Sequence, residues 1–511
     1  MLKKAYTTAI RLFEQYYWIF FVSACLVLAF YCFRCLDVQY VDSWDEARHG
    51  VNAYEMIQNG NYIQHTYNYQ VDNWNLKPSM SYWGIILGFR LFGYTVFGLR
   101  FCSALAYLLT GIGCGLFAKR YSKEASILVM GFFCANTLPL SAHLARSGDA
   151  DSLYLMFFTF AMLGMLQIRK SKKNLYMCGL LFALAFLTKS WHAGMIVAIG
   201  GLYLMVTGEL FRLKFKEWLY FFLSVFAPLV LWFGWRFTKD GFAFLDKMVE
   251  VDLLARTGST NFEGHEFPFS FYYDTVFANE NCIYPWLLLI CMAGVAAGLI
   301  WMWKKKAFDR IILEDSLGYL LWFFVPFLGF SLIRTKLIWY CYPCLVPLFL
   351  VAGIFLGKLL RFPMEERRIT AFLQAFVHWL AAFACVFLVA FYMRSTYLEV
   401  IRGAQGDGFQ LFIRESVERE SIYAGRKAYV TVPTERPENE GTWDQNMLFL
   451  AEISGDFRCE NGGMEGFLAE KEPSVLYMEQ GQYEKYAEEL QDAEVLCQKE
   501  GYVLLGNTSH I

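Results

Sequence analysis

Long apolar runs, separated by short polar segments, set the rhythm of this chain. The first is YWIFFVSACLVLAFYCF (Tyr17–Phe33), and others follow at roughly 95–118, 125–142, 151–168, 175–188, 192–208, 217–236, 283–303, 316–333, 337–357 and 369–392. Crossing a hydrocarbon layer about 30 Å thick takes about 20 apolar helical residues, so the pattern predicts about eleven transmembrane helices, with 175–188 the shortest. The first run reads as a span and not as a cleavable signal peptide, since it is long and no small-residue cleavage site follows. A shorter stretch, SYWGIILGFRLFG (Ser81–Gly93), carries Arg90 and predicts a helix lying at the interface.

After about Arg394 the pattern changes. Short β-like runs at 428–433, 474–479 and 501–507 alternate with helix-like stretches at 443–453 and 482–493. Alternation of that kind predicts a small α/β domain. The expected organisation is an all-α polytopic membrane domain over 1–393 and an extracytoplasmic α/β domain over 394–511.

Composition agrees with this reading. The chain is 57% hydrophobic and only 18% charged, against about 25% in soluble domains. Its net charge of −2 gives no reason to expect a nucleic-acid partner. Basic residues fall in alternate loops: Lys119/Arg120/Lys123, Arg169/Lys170/Lys172/Lys173, Arg212/Lys214/Lys216, Lys304/Lys305/Lys306/Arg310 and Arg361/Arg367/Arg368, on the side of Lys3, Lys4 and Arg11. The positive-inside rule makes that side cytoplasmic, with the N-terminus inside and the C-terminal domain outside. The loops at about 38–93 and 238–282 then face the exterior.

Those external segments hold the unusual polar residues. In VDSWDEARHG (Val41–Gly50), Asp45, Arg48 and His49 share one face of a helix while Glu46 points elsewhere. A solvated helix end would account for them, as would a carboxylate general base at the membrane surface. Lys77-Pro78 leads the short interfacial helix, where a lysine either snorkels or holds a phosphate. In HLARSGDADSLYLMFF (His143–Phe158), Arg146, Asp149 and Asp151 stand at the mouth of a span. There a carboxylate costs less than the roughly 2.5–3.5 kcal/mol of mid-bilayer, and the helix dipole favours it. Lys189 lies in a tight external turn, Arg256 and His265 in a Gly- and aromatic-rich loop, and Arg334, Lys336 and Tyr340 at the entrance to another span. Carboxylates and cations gathered on one side point to an anionic ligand handled at the membrane surface.

The order Asp-Glu-x-Arg (45–48), Lys-Pro-x-x-x-Tyr-Trp (77–83), Arg-x-Gly-Asp-x-Asp (146–151), Leu-Thr-Lys (187–189) and Lys-Leu-x-x-Tyr-x-x-Pro (336–343) resembles the GT-C membrane glycosyltransferases. Within that superfamily it is most similar to the branch of the lipid A aminoarabinose transferases and protein O-mannosyltransferases, over about residues 15–360. The resemblance implies an inverting transfer of a sugar from a polyprenyl-phosphate donor, undecaprenyl-linked, to an acceptor at the outer face of the cell membrane. The acceptor would be a glycolipid, polysaccharide or protein.

By position, the resemblance makes Asp45 the general base and Asp149 or Asp151 the second acidic site. Lys77, Arg256, Lys336 and Tyr340 would hold the donor phosphate, while Glu46, Arg48, Arg146, Lys189 and His265 would line the substrate site. Fixed Arg and Lys can stabilise a phosphate leaving group, and desolvation would raise the base's pKa. Leu76 departs from the branch, which has an acidic residue before the Lys-Pro pair, so a lipid A acceptor is not implied.

No Cys/His spacing matches a zinc site and no motif names a cofactor, while a divalent cation is compatible with the carboxylates. Cys459 and Cys497 are disulfide candidates if the exterior is oxidising. Asn507-Thr508-Ser509 forms a sequon near the C-terminus. The rival reading is a flippase or transporter of lipid-linked sugars. Such a protein should carry mid-membrane charges and internal symmetry, and neither is visible here.

Overall fold

The computed structural model describes the chain except for Met1, Ser43 and residues 257–264, 306–309, 363–367, 418–420, 433–440 and 508–511; side chains at 301–305, 310–312 and 368–369 are likewise not described. Basic positions Lys306 and Arg367, and Thr508 and Ser509 of the sequon, therefore lie outside the described residues.

The N-terminal half runs α1 (Leu2–Gln15), α2 (Tyr17–Phe33), α3 (Asp45–Gln58), a two-stranded ribbon β1 (Thr66–Tyr67) and β2 (Gln70–Val71), α4 (Met80–Phe92), α5 (Val96–Ala118), α6 (Lys123–Cys134), α7 (Thr137–Ser141) and α8 (Asp151–Met165). It continues through α9 (Lys173–Lys189), α10 (Gly194–Val206), α11 (Phe215–Asp240), α12 (Ala243–Lys247), α13 (Tyr284–Lys305), α14 (Arg310–Leu332), α15 (Tyr342–Leu360) and α16 (Arg368–Thr396). Helix starts follow capping chemistry. The Thr95 hydroxyl accepts from Gly98 N at 3.0 Å to open α5, and Ser122 does the same for Ala125 N at 3.0 Å to open α6. Helix α4 packs on α5 backbone to backbone, because a Cβ on Gly88 would lie 2.0 Å from the Gly98 carbonyl oxygen.

The protein is multi-pass, but the expectation of about eleven spans is corrected. Among the described residues six helical units are long and apolar enough to cross a membrane: Val96–Ala118, Lys173–Val206, Phe215–Asp240, Leu313–Leu332, Ile338–Leu360 and Thr370–Arg402. The number is seven if α1 and α2, bent by 70°, form one span. Apolar runs overcount because helices stop inside them. The run at 125–142 breaks after Cys134, because Pro139 has no N–H for the carbonyl of Ala135 four residues earlier and its ring crowds that oxygen; the chain restarts as the short α7 with Pro139 inside it. The run at 151–168 yields only the 15 residues of α8. The runs at 175–188 and 192–208 merge into one apolar unit through a 3₁₀ turn at Ser190–Ala193.

Several residues of the basic loops are paired. Glu209 accepts from Arg169 (3.0 Å), Lys172 (2.9 Å) and Arg212 (2.9 Å), and Arg169 also pairs with Glu314. Arg361 bridges Glu124 at 2.6 Å and also pairs with Glu14.

Beyond α16 come α17 (Gly408–Glu415), β3 (Lys427–Val430), α18 (Gln445–Gly455), β4 (Arg458–Cys459), α19 (Gly463–Ala469), β5 (Ser474–Glu479), α20 (Gln480–Lys485), β6 (Glu494–Lys499) and β7 (Tyr502–Asn507). They form the small C-terminal α/β domain around a five-stranded sheet of order β4-β3-β5-β7-β6. Strand β3 runs parallel to β4 and β5, and β7 antiparallel to β5 and β6. The three β-like runs became β3, β5 and β7. Strands β4 and β6 were not anticipated, and the helix foreseen at 482–493 stops at Lys485. Cys459 and Cys497 are both free. They lie on β4 and β6, the opposite edges of the sheet, four strand spacings or about 19 Å apart, so no disulfide forms.

Candidate active site

Helix α3 supplies the first part of the site. Its opening turn places Asp45 and His49 on one face, as expected, and His49 Nδ1 lies 2.5 Å from the Asp45 carbonyl oxygen. Lys77 reaches over from the segment before α4. Its Nζ is 3.2 Å from Asp45 Oδ1 and 3.5 Å from Asp149 Oδ1, so a single ammonium ties the two carboxylates together. His143 closes the cluster, its Nδ1 3.2 Å from Asp149 Oδ2 and 3.9 Å from Asp45 Oδ2, its Nε2 3.8 Å from Asp42 Oδ2. The imidazole stacks on Trp339 with ring centroids 3.8 Å apart.

Charge follows from this geometry. Burial alone would raise Asp45 and Asp149, but Lys77 and the histidines outweigh it, so Asp45 lies below the usual carboxylate range and Asp149 well below it. The raised base expected from desolvation is therefore not found. Burial and then the Lys77 charge press His49 down to about 4, keeping it neutral. Burial works against a charged His143 too, yet the bond to Asp149 and the charges of Asp149, Asp45 and Asp42 lift it to about 9.

Glu46 points away from this cluster, as expected, and frames it. It is 2% exposed and makes two bonds to Arg100, at 2.6 and 2.7 Å. Its Oε1 also accepts from Gly148 N at 2.7 Å, fixing the turn that carries Asp149. The remaining Arg100 donors reach the carbonyls of Leu36 (2.8 Å), Gln39 (3.0 Å) and Tyr40 (2.8 Å), anchoring the chain that leads into α3.

Two residues after Asp149 the same turn serves a second cluster. Asp151, at the start of α8, pairs with Lys189 at the end of α9. Lys189 Nζ lies 5.2 Å from the Tyr340 ring, and the Tyr340 hydroxyl accepts from Arg256 Nη1 at 3.0 Å. Arg256 in turn sits 3.4 Å from Asp252. The Gly148–Asp151 turn thus joins a cluster with α3 and Lys77 to one with Lys189, Tyr340 and Arg256.

Other anticipated residues stand elsewhere. Arg48 turns from Asp45 to hold Asp72 at 2.9 and 2.8 Å. Arg146 donates to the carbonyls of Tyr31 (3.0 Å), Arg34 (2.8 Å) and Cys35 (2.8 Å), capping the end of α2. Lys336 Nζ bonds the carbonyls of Phe267 (2.8 Å) and Ile333 (2.6 Å), and its backbone N donates to the His265 carbonyl at 3.0 Å. Leu76 is buried in the apolar core of the helical body.

Sequence reasoning missed Arg100 and His143. Arg100 was readable as a charge inside an apolar run, which requires a partner. His143 lay in the same short turn as Asp149. As metal ligands, Asp45, His143 and Asp149 each offer one atom, all within 4.8 Å of one another. Lys77 already supplies positive charge to both carboxylates, so a cation would have to displace it.

Helical body, C-terminal sheet domain and carboxylate site together define the class: a polytopic membrane protein similar in architecture to lipid-phosphate sugar transferases. Its particular likenesses are consistent with that class. The family model described as dolichyl-phosphate-mannose-protein mannosyltransferase matches residues 76–232. The undecaprenyl phosphate-alpha-4-amino-4-deoxy-L-arabinose arabinosyl transferase 2 of Pseudomonas fluorescens (strain Pf0-1) is 26% identical over 343 residues, 63% of this chain and 57% of its own length. An uncharacterised protein of Aquifex aeolicus (strain VF5) is 29% identical over 322 residues, 62% of this chain and 68% of its own. The crystal structure of ArnT from Cupriavidus metallidurans bound to undecaprenyl phosphate superposes with a TM-score of 0.61 at 18% identity, covering 96% of this chain and 98% of that one. That likeness shows the fold. The chain spans a little over half the length of the first curated relatives it matches.

Proposed function

We propose that the protein is an inverting glycosyltransferase that moves a sugar from a polyprenyl-phosphate donor to an acceptor at the outer face of the membrane. The observation carrying this reading is the pair Asp45 and Asp149 bound to one lysine, Lys77, beside a second cluster of cations. The named transferases among its relatives point the same way. The positive-inside rule puts the basic loops in the cytoplasm and the site outside. In the proposed division, residues 1–393 carry the site and 394–511 form the external domain.

Asp45 is the general base. In the resting site it is ionised and held by Lys77, which weakens it as a base. An arriving donor phosphate draws Lys77 toward its own oxygens, and the freed Asp45 becomes more basic. It then takes the proton of an acceptor hydroxyl, whose oxygen attacks the anomeric carbon from the face opposite the leaving phosphate. Lys77, Arg256 and Tyr340 take up the charge developing on that phosphate. Asp149 orients His143 and Lys77, and Lys189 holds Asp151 at the donor side. Lys336 belongs to the donor site only in a state where it leaves its carbonyl partners.

Mass spectrometry of lipid-linked sugars and envelope glycans tests the reading in cells carrying the intact gene, a deletion or Asp45→Asn. The expected result in the last two is one accumulating polyprenyl-phosphate sugar and one missing glycan decoration. Unchanged lipid-linked sugars in the deletion would overturn it.

A further inference from the structure

Two tryptophan rings stand in the open beside Asp45. Trp44, the residue before it, is 39% exposed and Trp74 47% exposed. Their ring centroids are 5.8 Å apart with the planes inclined at 39°. We propose that Trp44 and Trp74 form a stacking platform for a saccharide ring of the acceptor, so that the hydroxyl glycosylated by this enzyme belongs to a sugar. This inference rests on the transferase reading above and names the class of its acceptor.

The platform is held from beneath. Asp72 is buried at 3% exposure, and its Oδ1 accepts from Trp74 N at 2.9 Å. The same carboxylate takes both Arg48 donors, and the guanidinium lies 4.6 Å from the Trp74 ring and 4.1 Å from Tyr67. Asp72 also accepts from Asn75 N at 3.2 Å and from Asn52 Nδ2 at 3.1 Å, so the loop that carries Trp74 is pinned to α3. On the other side, Trp44 N donates to Asp42 Oδ1 at 3.4 Å. The Asp42 side chain is 46% exposed, and its other oxygen faces His143 at 3.8 Å.

One small area thus offers aromatic faces for the C–H face of a sugar ring and a half-open carboxylate for its hydroxyls. A bilayer anchor fits less well. Lipid-facing aromatics sit among aliphatics, as on α4 and α5 with exposed Leu87, Leu91, Leu109 and Leu116, whereas the exposed chain neighbours of Trp74 are Gln70, Val71 and Asn73, one aliphatic between two amides. A ring stacked there would present a hydroxyl to Asp45, the next residue in the chain after Trp44. The acceptor O–H bond breaks and its proton passes to Asp45. The oxygen forms the new bond to the anomeric carbon as the bond from that carbon to the phosphate oxygen breaks, its electron pair leaving on the phosphate.

The test replaces the chromosomal gene with Trp44→Ala/Trp74→Ala, Trp44→Phe/Trp74→Phe or Asp45→Asn and reads the transferred sugar, with its linkage, on envelope glycans, glycolipids and proteins. The expected linkage is to a saccharide hydroxyl. Decoration should fall about tenfold in the alanine pair and recover to at least about half in the phenylalanine pair. In purified protein, undecaprenyl phosphate should raise the melting temperature of the alanine pair as much as that of the wild type. A linkage to a protein side chain or lipid phosphate, wild-type decoration in the alanine pair, or a decoration loss matched by loss of protein from the membrane would each overturn the platform. Lost decoration in Asp45→Asn beside full decoration in the alanine pair removes the platform and leaves the transferase reading standing. Full decoration in Asp45→Asn removes both.

Discussion

Replacing Arg100 with methionine removes the arginine that holds the α3 entrance and the Gly148 turn in place. Both Arg100 and Glu46 side chains are 2% exposed, and two bonds of 2.6 and 2.7 Å join them. Losing one partner of a buried ion pair strands the other and costs about 3–5 kcal/mol. The carbonyls of Leu36, Gln39 and Tyr40 lose their donors as well. Glu46→Gln strands the Arg100 charge in turn and puts an amide NH2 where Oε2 now accepts from Arg100 and from Asp42 N, so it should also cost about 3–5 kcal/mol. In Glu46→Gln/Arg100→Met the stranded charge is gone, so the double variant should cost at least about 1 kcal/mol less than the sum of the singles. Reversible unfolding of the detergent-solubilised protein by a denaturing detergent measures all four corners of the cycle. Additive single costs, or an Arg100→Met variant as stable as the wild type, would refute the reasoning.

Three further outcomes are expected. Asp45→Asn should insert and melt like the wild type while transfer falls about 10²–10⁴-fold, measured as turnover of lipid-linked donor. His143 has a folded value of about 9, above the ordinary 6.5 of a histidine. The stability from its carboxylate contacts is therefore complete below about pH 6.5 and fades as pH rises through about 9. Melting curves from pH 6 to 10 should show the wild type losing its advantage over His143→Gln at the alkaline end. Reducing agent should leave the melting temperature unchanged, because Cys459 and Cys497 sit on opposite sheet edges.

Much of the fold was legible, and the reasons differ by element. Apolar runs identified the membrane body because nothing else calls for so many, yet they could not show where a helix stops. The break after Cys134 and the turn at Ser190–Ala193 leave local hydrophobicity intact while dividing or joining spans. In the C-terminal domain the buried strand β5 announced itself. Edge strand β6 did not, because its residues, Glu494–Lys499, are largely exposed and half of them polar.

At the site, i and i+4 spacing correctly put Asp45 and His49 together, and the Asp149 turn joined them. Arg48 shares that spacing and still left the face, because Asp72 in the following loop offered a better partner. No local pattern carries that choice. Arg146 and Lys336 looked like ligand cations in the sequence and are occupied by backbone carbonyls, a demand visible only once helix ends meet in space.

Helix α3 begins in the Asp45–Asp149 cluster and continues beneath the C-terminal domain. There Gly50 leaves so little room that a Cβ would come within 2.5 Å of the Phe449 ring of α18. Four residues along the same helix, Tyr54 donates to Asp456 at the end of α18. The sheet domain therefore acts as a jig, setting the tilt of the rod that bears Asp45. A module transplanted from a cousin would need a ring of matching reach at that spot, so the two halves should be inherited as a fitted set.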